Sequence, residues 1–277
     1  MWWLGARASP CRWPMTEPTA EEQRQHEHQK AYFDRAYGRI EGYRLENWRV
    51  SYIDRIFGDL KVRGCRPGYR YLDVGIGGMG YTSVEAAREG AEAWGVDLSE
   101  VAVASATRVA ALALSPEQAA RCRFVVGPAE ALPFPDGHFD AVSCIAVLEH
   151  IVRDQDAMAE LVRVTRPGGR IYVAVPHSFS KTPWPLAALN WVNDKLVGHL
   201  RHYSPPQLAG AMGPACLAVK TVYHGHLVKL WQFLLGFIDK SMGEPGSPRW
   251  WKMEKKDLDA WQDDRASMLS MVFEKRP

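Results

Sequence analysis

Tyr69-Arg70-Tyr71-Leu72-Asp73-Val74-Gly75-Ile76-Gly77-Gly78-Met79-Gly80 joins a short apolar strand pattern to a glycine cluster, and Tyr81 to Glu89 then reads as a helix. Glycine lets the chain turn tightly and lets its backbone approach a ligand, while a helix that starts there offers unpaired N–H groups. Asp97 lies 20 residues beyond Gly77, so G-I-G-G-M-G also satisfies the dinucleotide pattern G-x-G-x-x-G with its distal acid. A glycine turn that serves only strand-to-helix packing has the same appearance.

Outward from this point the alternation continues. Strand patterns at AEAWGVD (91–97), RFVV (123–126), FDAVSCIAV (139–147) and GRIYVAVP (169–176) are interleaved with helical patterns at Ser99–Leu114 and Gln155–Val164. Strands separated by helices require parallel crossovers, which predicts an α/β sheet with helices on both faces. Upstream, Glu21 to Leu60 is rich in helix formers with apolar residues near helical spacing. Downstream of Pro176 the sequence becomes aromatic and Pro-rich, and two later strand patterns, CLAVKTVY (216–223) and SMLSMVFEK (267–275), flank an insertion. The expected organisation is a disordered tail over 1–20, a helical cap over 21–66, a core over 67–178, and a lid, an aromatic insertion and the last two strands over 179–277.

Composition narrows the partners. The 277 residues are 47% apolar, enough for a sizeable core. Lys+Arg 34 against Asp+Glu 32 leaves +2 with no long block of one charge, so nucleic acid is not expected and a small molecule is. Five scattered cysteines without a C-x-x-C pair argue against a disulfide framework or a zinc site, and a reducing cytoplasm is expected. The apolar run Leu227–Ile238 is too short for a bilayer span, and the first residues lack the apolar core of a signal peptide, with Met15 as an alternative start. Nothing in the sequence reads on oligomeric state.

Asp73, two residues before the first glycine, places a carboxylate where it suits a cationic ligand and repels a pyrophosphate. Together with GPAEALPFPDGHFDAV, LEHI and LVRVTRPGGRIYVAV, this stretch resembles the class I S-adenosylmethionine-dependent methyltransferases, in the broad group that includes the ubiquinone and menaquinone biosynthesis methyltransferases. The resemblance covers about Tyr69 to Tyr203. It implies a Rossmann-like doubly wound sheet, mostly parallel with an antiparallel last strand, and S-adenosylmethionine as cofactor. It further implies that Asp73, Gly75, Gly77 and Gly78 lie under the methionine part, that Asp97 and Leu98 meet the ribose, and that Ala129 and Glu130 lie beside adenine. Cys144 and Ile145 would pass the cofactor through their backbone. Two departures stand out: Met79 occupies the place of the third glycine, and Pro128 replaces the acid expected before Ala129.

ENWRVSYI resembles a stretch of quinone O-methyltransferases whose arginine meets the cofactor carboxylate, which assigns Arg49 that role; a solvated helix arginine is the bland alternative. Some relatives use the Glu149-His150 pair with a further glutamate as a metal site, but Ala146 stands where that glutamate is expected, so no metal is expected. His150 is then a candidate base for the acceptor's proton, or simply a residue of a helix start. GHLRHYSP, with His199, Arg201, His202 and Tyr203, resembles the segment that closes over substrate, and His202 and Tyr203 join His150 as candidate catalytic residues. Trp184, Trp191, Trp231, Phe233, Phe237, Trp250, Trp251 and Trp261 either pack the insertion on the core or wall a pocket for a hydrophobic acceptor; Leu227–Ile238 lying on a membrane surface is a third reading. The expected activity is methyl transfer to oxygen or carbon of a small or medium-sized organic acceptor. An NAD-dependent oxidoreductase and a methyltransferase-like protein that only binds its cofactor are the alternatives.

Overall fold

A computed structural model describes residues 19–37, 42, 43, 45, 47–177, 184–225, 252 and 266–277. Seven strands form one sheet: β1 (Arg70–Val74), β2 (Glu92–Asp97), β3 (Cys122–Val126), β4 (Phe139–Ile145), β5 (Thr165–Pro176), β6 (Cys216–His224) and β7 (Met268–Lys275). Their spatial order is β3-β2-β1-β4-β5-β7-β6. The pairs from β3 through β5 are parallel, whereas β7 lies antiparallel between β5 and β6. The order of a dinucleotide-binding Rossmann sheet is 3-2-1-4-5-6 without such an inserted strand. The topology is therefore the Rossmann-like variant with an antiparallel last strand, as expected from the sequence.

The helices are α1 (Ala20–Tyr37), α2 (Asn47–Asp59), α3 (Tyr81–Arg88), α4 (Glu100–Ala113), α5 (Pro116–Ala119), α6 (Asp154–Val164), α7 (Trp184–Val197) and α8 (Pro205–Ala211). The central strands are buried between two helical layers while the edge strands β3 and β6 stay partly exposed, and the two-residue period of the strands divides the core. Leu72, Val142, Ile171 and Val173 face one cluster with Met158, Leu161 and Val164 of α6 and Leu208 of α8. Tyr71, Ala93, Tyr172 and Val272 face the other, with Ile53, Ile56 and Phe57 of α2 and Val84 of α3. The stretch expected to be one helical cap is thus divided in its work: α2 covers the sheet, while α1 packs against α4 and the glycine turn after β1.

Three short or late helices escaped the sequence reading. α5 and α8 each begin with Ser-Pro, at Ser115 and Ser204, and each has a reciprocal cap with the glutamine three residues on, Gln118 and Gln207. α7 lies in the aromatic stretch, where Trp184 is 81% and Trp191 59% exposed, so these two do not pack into the core among the described residues. The remaining aromatic residues of the insertion, Trp231, Phe233, Phe237, Trp250, Trp251 and Trp261, lie outside the described residues. So do residues 1–18 of the tail expected over 1–20, whose last residue, Ala20, already begins α1, together with the run 227–238 and most of 226–265. No helix among the described residues is long and apolar enough to cross a membrane.

Candidate active site

Parallel strands deliver the loops after β1, β2, β3 and β4 to one edge of the sheet, and the direction of winding reverses between β1 and β4, where a ligand crevice forms. Gly75 begins the turn at φ +79°, and a Cβ there would lie 2.1 Å from Val147 Cγ2. Glycine is required on both counts. Gly77 has φ +57°, and its N–H donates to Asp97 Oδ2 at 3.0 Å. The other oxygen of Asp97 accepts the Ser99 N–H at 2.9 Å. The Asp97 carboxylate thereby ties the end of β2 to the glycine turn while staying half-buried at the crevice. Burial, with a smaller contribution from Asp34, pushes its pKa up. Gly78 is buried within the turn, and Leu98 follows Asp97, half-buried.

Asp73 differs from the simple sequence expectation. Its carboxylate is buried and accepts hydrogen bonds from Ser143 Oγ at 2.5 Å and from Thr82 Oγ1, which anchor it to β4 and α3. Burial raises its pKa to about 6. It holds the turn from beneath. After β3, Ala129 is buried and Glu130 meets His26 of α1, Oε1 to Nε2 at 3.2 Å. Cys144 is buried at the end of β4 and its thiol is pushed up by burial; Ile145 is half-buried. Ala146 then takes φ +55°, a conformation that an alanine adopts only at some cost, and its N–H is held by Ala174 O at 2.8 Å.

α1 closes over these loops. Asp34 receives a hydrogen bond from the Ser99 hydroxyl, and Tyr37 Oη would be 3.2 Å from a Cβ on Gly77. Phe33 stacks on Tyr37 at 5.4 Å between centroids and meets the His150 ring edge-on at 5.6 Å. None of His26, Phe33, Asp34 or Tyr37 was a sequence candidate, because their proximity to the loops is purely tertiary. Arg49 lies in the first turn of α2; its side chain is outside the described ones.

On the other side of the crevice, a 3-10 turn at Leu148–His150 carries Glu149 and His150, both buried. Burial raises the Glu149 carboxyl to about 8, helped by Asp194. Burial and then the neighbouring His199 lower His150 to about 4, so its imidazole is neutral near pH 7. The rings of His150 and His199 lie 4.9 Å apart. His199 Nδ1 is 2.7 Å from Asp194 Oδ1, and His202 Nε2 is 3.0 Å from Asp194 Oδ2. Tyr203 is turned into the core: its hydroxyl donates to Asp154 Oδ2 at 2.8 Å, and Arg201 pairs with the same Asp154. The structure therefore brings His150, His199 and His202 to one place and gives Tyr203 an anchoring contact below it. Asp194, on α7, had no signal beyond its five-residue distance from His199.

A sheet with its reversed seventh strand, a glycine turn no side chain fits, and a strand-end acid beside it are features of the class I S-adenosylmethionine-dependent methyltransferase fold. Residues 72–173 match the family model described as a methyltransferase domain. The chain is similar to the demethylmenaquinone methyltransferase of Beutenbergia cavernae, 38% identical over 143 residues, which are 51% of each chain. It is also similar to the ubiquinone biosynthesis O-methyltransferase of Alkalilimnicola ehrlichii, 34% identical over 167 residues, 57% of this chain and 63% of that one. The chain thus spans about half to two thirds of the length of these relatives. Among solved structures, geranyl diphosphate methyltransferase in complex with S-adenosylmethionine superposes with TM-score 0.59 at 17% identity, covering 82% of this chain and 85% of that one, a likeness of fold. The residues present fit S-adenosylmethionine as cofactor: the turn after β1 is built of glycines at positive φ that present bare backbone, and the oxygens of Asp97 keep lone pairs for ribose hydroxyls.

Proposed function

We propose that this chain transfers the methyl group of S-adenosylmethionine to oxygen or carbon of a small, hydrophobic, quinol-like acceptor in the cytoplasm. The observation that carries this reading is a crevice with two differently built sides: the Gly75–Asp97 cradle on one, and a cluster of imidazoles around a neutral His150 on the other. The names of the relatives support the acceptor class. When bound, the cofactor supplies an activated methyl group, so the protein's tasks are alignment, exclusion of water and handling of the acceptor's proton.

In this reading Asp97 and Leu98 hold the ribose, Gly75, Gly77 and Gly78 with Asp73 beneath them shape the bed of the methionine part, and Ala129 and Glu130 border adenine. The backbone at Cys144 and Ile145 passes the transfer axis. Arg49 is assigned the cofactor carboxylate on its motif. α1 shuts water out. His150, neutral and packed between Phe33 and His199, accepts the acceptor's proton at an imidazole nitrogen, and His202 with the Tyr203-anchored segment borders the acceptor.

Calorimetric titration with S-adenosylmethionine and with NAD, followed by transfer of labelled methyl to demethylated quinols, tests the proposal. Micromolar binding of S-adenosylmethionine and label in the quinol are expected. Preference for NAD overturns it, and cofactor binding without transfer to any acceptor leaves a cofactor-binding protein instead. Arg49→Met should weaken S-adenosylmethionine and spare methylthioadenosine, which lacks the carboxylate.

A further inference from the structure

The side chains of Asp194, His199 and His202 converge although they come from the end of α7 and two points of the loop that follows. One ligand atom from each lies within 4.8 Å of the others. Asp194 Oδ1 is 2.7 Å from His199 Nδ1 and Oδ2 is 3.0 Å from His202 Nε2, yet Oδ2 is buried and accepts no hydrogen bond. Beyond His199, Glu149 is wholly buried, and neither of its oxygens has a hydrogen-bond partner; Oε1 is 4.0 Å from His199 Nε2. Two buried carboxylates with three oxygens unsatisfied, set among imidazoles, form a pocket short of positive charge.

We propose that Asp194, His199 and His202 bind a divalent transition-metal ion of the zinc or cobalt kind. Two imidazoles and a carboxylate are the donors such ions prefer, whereas magnesium would call for more oxygen. A four-coordinate ion with bonds of about 2.0–2.1 Å sets adjacent donors roughly 3.4 Å apart, so the contacts to Asp194, now 2.7 and 3.0 Å, would open by about 0.7 and 0.4 Å. With Nδ1 of His199 on the metal, its Nε2–H points to the Glu149 carboxylate, the outer partner that fixes a ligating imidazole. Three protein ligands leave a fourth position open to water or to an oxygen of a small molecule. The sequence expectation of no metal rested on Ala146 beside the Glu149-His150 pair; the present ligands belong to a different set, and the inference does not depend on methyl transfer.

The test uses the full chain, stripped with EDTA and titrated with Co2+ while visible d–d absorption is recorded, with Zn2+ competition. Binding of about one equivalent with imidazole-type bands is expected. His202→Gln and Asp194→Asn should each weaken Co2+ at least tenfold, Glu149→Gln should weaken it about 10- to 100-fold as an outer partner, and His150→Gln should leave it within about threefold. Circular dichroism of each variant checks folding. Failure of the unmodified chain to bind Co2+ or Zn2+ at about 100 µM overturns the proposal irrespective of the variants and leaves a histidine–carboxylate hydrogen-bond cluster. Loss on His150→Gln with His202→Gln unaffected overturns the ligand assignment.

Discussion

Asp97 and Asp73, at the ends of neighbouring strands β2 and β1, show how two carboxylates acquire different work from their surroundings. Asp97 spends one lone pair of each oxygen on the Gly77 and Ser99 amides and keeps its edge at the crevice. Asp97→Ala should weaken S-adenosylmethionine by about 2 to 4 kcal/mol in a calorimetric titration, since charge-assisted hydrogen bonds and the shape of the turn are lost together. Unchanged affinity in a folded variant would remove the ribose assignment. Asp73, by contrast, is buried with a pKa raised to about 6 from its ordinary 3.8, so the folded state holds its proton more tightly than the unfolded chain. The sign follows: its ionisation costs nothing below the ordinary value, and stability is lost as pH rises through the window up to about 6. Asp73→Asn should therefore gain roughly 1 to 3 kcal/mol relative to the unmodified chain between pH 4 and pH 7.5 in denaturant unfolding. A constant difference across that range would show that the carboxyl titrates normally.

Among the elements, α1 is the one whose role no local pattern announces. Its residues meet Glu130, Ser99, the glycine turn and His150, four points on four different loops. A helix held by such dispersed contacts, and by little core, should open locally more readily than the sheet. Saturating S-adenosylmethionine should slow amide exchange in Ala20–Tyr37 several-fold while leaving β4 and β5 unchanged, measured by hydrogen-exchange mass spectrometry. Phe33→Ala, which removes the ring against Tyr37 and His150, should undo that protection at a cost of about 1 to 2 kcal/mol. Equal exchange with and without cofactor would leave α1 a static support.

At the scale of the whole molecule, β7 is the keystone of the sheet because it pairs with β5 on one side and β6 on the other. Phe273 and Val272 on this one strand point into opposite core clusters. Phe273→Ala should destabilise the protein by about 3 to 5 kcal/mol, read from chemical denaturation, because a buried ring leaves a cavity that the flanking strands cannot close. A loss below about 1 kcal/mol would mean that the sheet does not depend on its last strand in this way.

Much of this architecture is legible in the chain itself. The strand and helix patterns from Tyr69 to Val164 coincide with β1 to β4 and with α3, α4 and α6 to within a residue or two, because period-two and period-3.6 patterns are local consequences of one buried face. The glycine turn was legible because a positive φ and the closeness of Val147 both exclude side chains. Local pattern says nothing about which distant loops share a point in space. Only the tertiary fold turned Asp73 inward onto Thr82 and Ser143, laid α1 across the crevice, drew Tyr203 down to Asp154, and set Asp194 between His199 and His202. Those outcomes depend on how sheet order and helix packing close the chain on itself, and burial, which decides the charge and the hydrogen bonds of each group, exists only once that closure is made.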